Sequence, residues 1–218
     1  MLNPMKKTIT LSVAAALFLT SAAALADEKP DELLHRLGGG NAQSGKIKSA
    51  THLCQECHNV DGNSESSGVP KLSGQSTAYL FKQLKNFQSG ERDHPTMNAM
   101  ASGISNQDLA DIAAYFSTQV RPLGNGGKLH PVAKELFSNG DWQRNIIACK
   151  TCHGVQGRGN GNPSYPVIGG QHQIYVREQL LNWRSGSRKN SEGEVMNAIT
   201  QRLTDAEIEA LAEYVSGL

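Results

Sequence analysis

Four cysteines stand in two copies of one pattern: Cys54-Gln55-Glu56-Cys57-His58 and, 95 positions later, Cys149-Lys150-Thr151-Cys152-His153. Two thiols with two residues between them and an imidazole directly after suit covalent haem attachment. On one turn of chain the sulfurs are spaced to add to the two vinyl groups of a porphyrin, and the histidine falls beneath the iron as proximal ligand. A zinc site drawn from both pairs would need a shorter separation than that between Cys57 and Cys149. A thioredoxin-like pair wants a strand–helix setting and no obligatory histidine. A disulfide across two residues explains neither His58 nor His153. The motifs therefore predict two haem c groups, attached through Cys54, Cys57, Cys149 and Cys152, with His58 and His153 on the irons.

A sixth ligand decides between carrier and catalyst. Beyond the N-terminal segment the methionines are Met97, Met100 and Met196. The second copy offers Met196 alone, and the repeat register pairs it with Met97, leaving Met100 opposite Ile199. Met97 and Met196 each stand seven residues before an apolar residue, Ile104 and Leu203, that leads into a final helix. A lone methionine is ordinarily core filler, but the matched position assigns Met97 and Met196 as distal ligands and Met100 as a packing residue. Histidine–methionine ligation favours ferrous iron and closes the iron to substrate. His35, His52, His94, His130 and His172 have no counterparts at the repeat offset and read as surface residues; of these, His94 is near enough to Met97 to be a rival ligand.

The duplication extends well beyond the motifs. Pro70, Gly74, Gln75, Tyr79, Gln83, Leu84, Gly90 and Arg92 recur 96 positions later as Pro166, Gly170, Gln171, Tyr175, Gln179, Leu180, Gly186 and Arg188, with Phe87 answered by Trp183. Each copy reads as helical. Ser105-x-x-Asp108 and Thr204-x-x-Glu207 are helix-start patterns. Behind them Leu109, Ile112, Ala113 and Phe116, then Ile208, Leu211, Ala212 and Val215, follow the spacing of one apolar helix face. Further helices are expected near 77–88 and 173–184 and before each cysteine cluster, with loops over 59–74 and 154–170 and no convincing strand. The fold class is thus all-α, as two tandem domains over 27–120 and 129–218, joined at 121–128 by a Gly- and Pro-rich segment that reads as a flexible linker. A copy of this size has a marginal core of its own, and a haem supplies a large apolar body around which short helices can pack.

Other repeated residues are candidates for tuning the haems. Pro70 and Pro166 lie where a backbone carbonyl can accept the proximal imidazole's N–H; simple turn chemistry is the alternative. Tyr79 and Tyr175 could bond haem propionates, with Arg92 and Arg188 pairing to them; helix packing and solvent are the alternatives. Arg158 reads as a solvent-facing residue.

Lys6, Lys7, the apolar run Ile9–Leu25 and Ala24-Leu25-Ala26 make residues 1–26 a cleaved secretory signal peptide. No later run is long and apolar enough to span a bilayer. Without Lys6 and Lys7 the formal charge of +1 becomes −1, which carries no nucleic-acid footprint.

The stretches 45–115 and 136–218 resemble the periplasmic dihaem cytochrome c4 family. The paired CxxCH motifs carry the likeness, with Pro70-Lys71-Leu72-Ser73-Gly74-Gln75, Gly169-Gly170-Gln171-His172, the Tyr–Gln–Leu helices, Met97 and Met196. The resemblance implies two cytochrome c domains whose His–Met haems face each other across the domain interface. It also implies electron delivery between respiratory redox proteins in the periplasm, often to a terminal oxidase. Asn59 departs from the family's glycine, which Gly154 keeps. The expected role is a carrier rather than an enzyme. The alternatives are a subunit of a larger dehydrogenase, or a dihaem peroxidase or sulfur-oxidising enzyme; peripheral membrane contact is left open.

Overall fold

A computed structural model describes residues 28–124, 126 and 130–218; the expected signal peptide lies outside them. The first copy runs α1 (Pro30–Arg36), α2 (Ala42–Thr51), α3 (Cys54–His58), α4 (Thr77–Ser89), α5 (Pro95–Ala101) and α6 (Asn106–Ser117). The second runs α7 (Pro131–Ser138), α8 (Cys149–His153), α9 (Gln173–Ser185), α10 (Val195–Thr200) and α11 (Asp205–Gly217). Among the described residues the only β-like feature is one bridge, Asp141 with Ile146. The all-α expectation holds.

The helix ends follow from their capping residues. Ser105 Oγ accepts from the Asp108 N–H at 3.1 Å, and Thr204 and Glu207 form a reciprocal capping box, so both final helices start where the pattern predicts. Gly90 and Gly186 stop α4 and α9 in the left-handed region. Helices α5 and α10, which carry Met97 and Met196, have no amphipathic signature long enough to read. Pro95 opens α5 and His94 caps it, its Nδ1 accepting from the Met97 N–H at 3.3 Å. The unexpected α1 buries Leu33 and Leu34 on the first core.

Each copy closes on its last helix. Phe81, Leu109, Ile112 and Phe116 centre the first core, and Phe137, Ile146, Ile208 and Leu211 the second. Helix α2 lies so close on α6 that a Cβ at Gly45 would meet the Asp111 carbonyl oxygen at 1.9 Å. The second copy replaces part of that contact by a ten-residue knuckle between α7 and α8, bolted by Arg144 to Asp141 (2.6 Å) and to Glu207 (2.7 Å).

The linker departs from expectation. Three of its described residues are hydrogen-bonded to the domains: Arg121 donates to Ser73 O and Lys71 O, the Gly124 N–H donates to Leu218 O at 2.7 Å and the Gly126 N–H to Gly217 O at 3.1 Å. Composition reports the conformational freedom of Gly and Pro but not the carbonyls waiting for them.

Candidate haem sites and the contact between them

In both copies the CxxCH segment forms a single helical turn, so the two thiols and the imidazole share a short rigid piece of chain. Cys54 packs with Leu72 and Leu84 against the first core, and Cys149 with Ile168 and Leu180 against the second. No disulfide joins the four cysteines, and among the described residues no group of three or more His, Cys, Asp or Glu could hold a metal ion. Burial pushes the Cys54 and Cys149 thiols up to about 11. Neither is the low-pKa thiolate of a reactive redox pair.

His58 and His153 are buried, at 7% and 9% exposure. Nδ1 of His58 lies 2.9 Å from Pro70 O, and Nδ1 of His153 lies 2.9 Å from Pro166 O. A carbonyl oxygen only accepts, so Nδ1 carries the proton and Nε2 keeps its lone pair. Burial lowers both imidazole pKa values more than these hydrogen bonds raise them, holding the rings neutral. Each site thus contains a fixed, neutral imidazole of the tautomer an iron ligand needs.

Met97 and Met196 are half-buried near the starts of α5 and α10. Met100 is 36% exposed, on the rim of a cavity of about 330 Å³ with Thr51, His52, Leu53, Ala99, Ser102, Gly103 and Ile104. Met100 lies on the same helix face as Met97, one turn on, and is only partly covered there. The same cavity sets the end of α5 beside Leu53, the residue before Cys54.

The repeated tyrosines and arginines meet one another across the two copies. Arg92 Nη2 donates to Tyr175 Oη (3.0 Å) and Gln179 Oε1 (2.9 Å); Arg188 Nη2 donates to Tyr79 Oη (3.1 Å) and Gln83 Oε1 (3.0 Å). Arg92 also sits 4.6 Å over the Phe87 ring and Arg188 4.2 Å over that of Trp183. Both arginines are buried, at 8% and 6% exposure, yet the side chains they bond are neutral. Burial alone would raise Tyr79, but Arg188 and Arg92 outweigh it and hold the phenol below its usual value.

Two buried cations whose side-chain partners are neutral form a place for carboxylates. Together with the oriented imidazoles, the residues present fit a haem in each copy. The tyrosine hydroxyls meanwhile tie the two copies together.

Several contacts at this junction were missed in the sequence. Gln171 accepts from the Lys71 N–H (2.9 Å) and donates to Lys71 O (3.0 Å); Gln75 does the same with Val167, at 2.8 Å and 2.8 Å. The signal was present, because both glutamines recur at the offset of 96. Lys82, which donates to Asn190 O at 2.7 Å, had no such signal, its counterpart being Glu178. His172, read as a surface residue, instead lies 2.8 Å through Nε2 from Ser64 O of the other copy.

A cytochrome c family model matches residues 42–119 and again 133–218. Cytochrome c4 of Pseudomonas aeruginosa is 38% identical, over 82% of this chain and 89% of the relative. The thiosulfate dehydrogenase electron acceptor of Stutzerimonas stutzeri is 33% identical, over 95% of this chain and 94% of the relative. The crystal structure of reduced recombinant cytochrome c4 from Pseudomonas stutzeri superposes with a TM-score of 0.77 at 38% identity, covering 82% of this chain and 99% of that one. With a CxxCH helix, an oriented imidazole and a matched core in each half, the chain belongs to the cytochrome c family, as a two-domain member of the c4 type with one haem c per domain.

Proposed function

We propose that this protein carries single electrons between redox proteins of a periplasmic respiratory chain, toward a terminal oxidase. In this reading Cys54, Cys57, Cys149 and Cys152 would form the thioether bonds, His58 with Met97 would hold one iron and His153 with Met196 the other, and residues 1–26 would be removed on export. The observation that carries it is the repetition of one site twice, each with a neutral imidazole pinned by a proline carbonyl and a half-buried methionine at the matched register. A bound haem supplies the one-electron change at iron. The chain does the rest: the Pro70 and Pro166 carbonyls hold the imidazole planes, and the methionines close the distal side and favour the ferrous state. Arg92 and Arg188 supply positive charge for propionates at the contact between the domains. Among the described residues no helix is long and apolar enough to cross a membrane.

The test is a spectroscopic and potentiometric titration of the exported protein. Its mass is expected to equal residues 27–218 plus two haems, and ferric protein is expected to show the weak red-end band of thioether ligation for two haems. Met97→Ala and Met196→Ala should each remove about half the band, lower one potential and open one iron to carbon monoxide. A wild type that lacks the band and binds carbon monoxide readily has an open iron and is better read as an enzyme.

The likeness to the thiosulfate dehydrogenase electron acceptor over nearly the full chain favours one second reading, an electron-accepting partner of a dehydrogenase. Purification in a stable complex with a catalytic subunit would support it over a free carrier.

A further inference from the structure

Beside the loop that carries the Pro166 carbonyl, a cavity of about 240 Å³ opens where the two domains meet the linker, lined by Gly74, Arg121, Pro122, Arg158, Val167 and Gly169. Its only charged walls are the two arginines, one from each side of the junction, and no carboxylate lines it. Arg121 is held in a fixed plane, donating through Nε to Ser73 O at 2.7 Å and through Nη2 to Lys71 O at 3.1 Å. Its Nη1 is buried and makes no hydrogen bond. Burial pushes Arg121 down to about 10, so it remains charged at neutral pH.

Arg158 takes part in no ion pair among the described residues. A third cation stands close by. Lys71 donates to Gly170 O at 2.8 Å, and its pKa is lowered by burial first and then by repulsion from Arg121.

Two of the walls are glycines at which the backbone is closely approached. A Cβ at Gly74 would meet the Arg121 Cβ at 3.3 Å, and one at Gly169 would meet Gln156 O at 2.3 Å. Lys71 and Arg121 repel one another at this partly buried junction, and a bound anion would offset that cost. Guanidinium forks match oxyanions in geometry as well as charge. The cavity is below the range of about 300–1,000 Å³ usual for organic ligands, which points to something small.

We propose that this cavity is an oxyanion site, in which Arg121 and Arg158 hold a small doubly charged tetrahedral anion between the two domains. The anion takes the hydrogen bond that Arg121 Nη1 lacks, and Arg158 closes on it from the second domain. The bound anion therefore ties the domains together.

The probe is inorganic sulfate, titrated calorimetrically into the dihaem protein, with sodium chloride at matched ionic strength as the control for screening. One saturable sulfate site per chain is expected, with a rise in unfolding temperature that chloride does not give. Arg158→Glu, an exposed position with no ion pair to lose, should weaken sulfate by roughly tenfold or more, about 1.4 kcal/mol. Arg121→Gln should do the same, although it also releases the Lys71 and Ser73 carbonyls, so Arg158→Glu is the deciding variant. If the dihaem protein gives no saturable sulfate binding, for instance because a haem propionate already satisfies Arg121, the proposal is overturned. It is equally overturned if Arg158→Glu binds sulfate as the wild type does.

Discussion

Asn59 and Gly154 occupy the same place, directly after the two attachment histidines, and both adopt a conformation that suits glycine: φ 62°, ψ 163° for Asn59 and φ 81°, ψ 162° for Gly154. In the second domain no side chain could fit, since a Cβ at Gly154 would meet Gly159 O at 2.1 Å. In the first domain the loop leaves room, and Asn59 holds itself by donating from Nδ2 to Asn63 O at 2.8 Å. Backbone held in that region costs a residue with a side chain about 1–3 kcal/mol, more than one part-buried hydrogen bond, about 0.5–1.5 kcal/mol, returns. Asn59→Gly is therefore expected to raise the unfolding midpoint in denaturant, by about 1 kcal/mol after the lost hydrogen bond, and Gly154→Asn to lower it. A loss of stability in Asn59→Gly would mean that the side-chain bond outweighs the strain. The departure at Asn59 was visible in the sequence; that it is a backbone matter was not. For Met100 the sequence register separated it from Met97 without placing its side chain. At 36% exposure, Met100→Ala is expected to leave the red-end band intact and to cost within about 0.5 kcal/mol, as surface substitutions do.

At the scale of the element, the two domains solve one packing problem differently. In the first, Asp111 on α6 accepts from the Asn41 N–H (2.8 Å), Lys48 Nζ (2.6 Å) and Gln107 Nε2 (2.9 Å), joining α6 to the start and face of α2. The second domain has Ala210 at the matching position, and Glu207 instead clamps the knuckle through Arg144. The apolar periodicity of the last helices was legible because it repeats; these polar ties were not, because each domain chose its own. Burial raises the Asp111 pKa, but Lys48, Gln107 and the Asn41 N–H lower it further, leaving it net depressed. A depressed carboxylate contributes fully above its unfolded pKa, near 3.8, and loses that contribution as pH falls through the folded value. Asp111→Asn is expected to cost about 1–3 kcal/mol at pH 7 and to flatten the stability profile between about pH 4 and lower pH. Denaturant midpoints measured from pH 7 down to the acid range check this. An unchanged acid limb in the variant would remove Asp111 from the list of groups responsible.

For the whole molecule, the domain contact is a pseudo-two-fold arrangement written by the duplication. Gln75 and Gln171 each bond the other domain's backbone through both amide atoms, while Arg92 and Arg188 reach the other domain's tyrosine. Sequence comparison of the copies found every one of these six residues as a repeat. It could not tell a residue kept for its own domain from one kept for its neighbour, because both leave the same mark at an offset of 96. The glutamines are the cleaner probes, since they are 5% exposed and touch no candidate iron ligand. Removing either amide leaves a backbone N–H and C=O without partners at a buried contact, so Gln75→Ala and Gln171→Ala should each cost about 1–3 kcal/mol. If the contact opens as one unit, the first substitution already frees the second glutamine's partners to water. The double variant should then lose less than the sum of the singles, by about 0.5 kcal/mol or more. Equilibrium unfolding of the four proteins of this cycle measures the difference. Full additivity would show two independent hydrogen-bonded pairs, and the junction would then be a hinge with separate pins rather than a single seam.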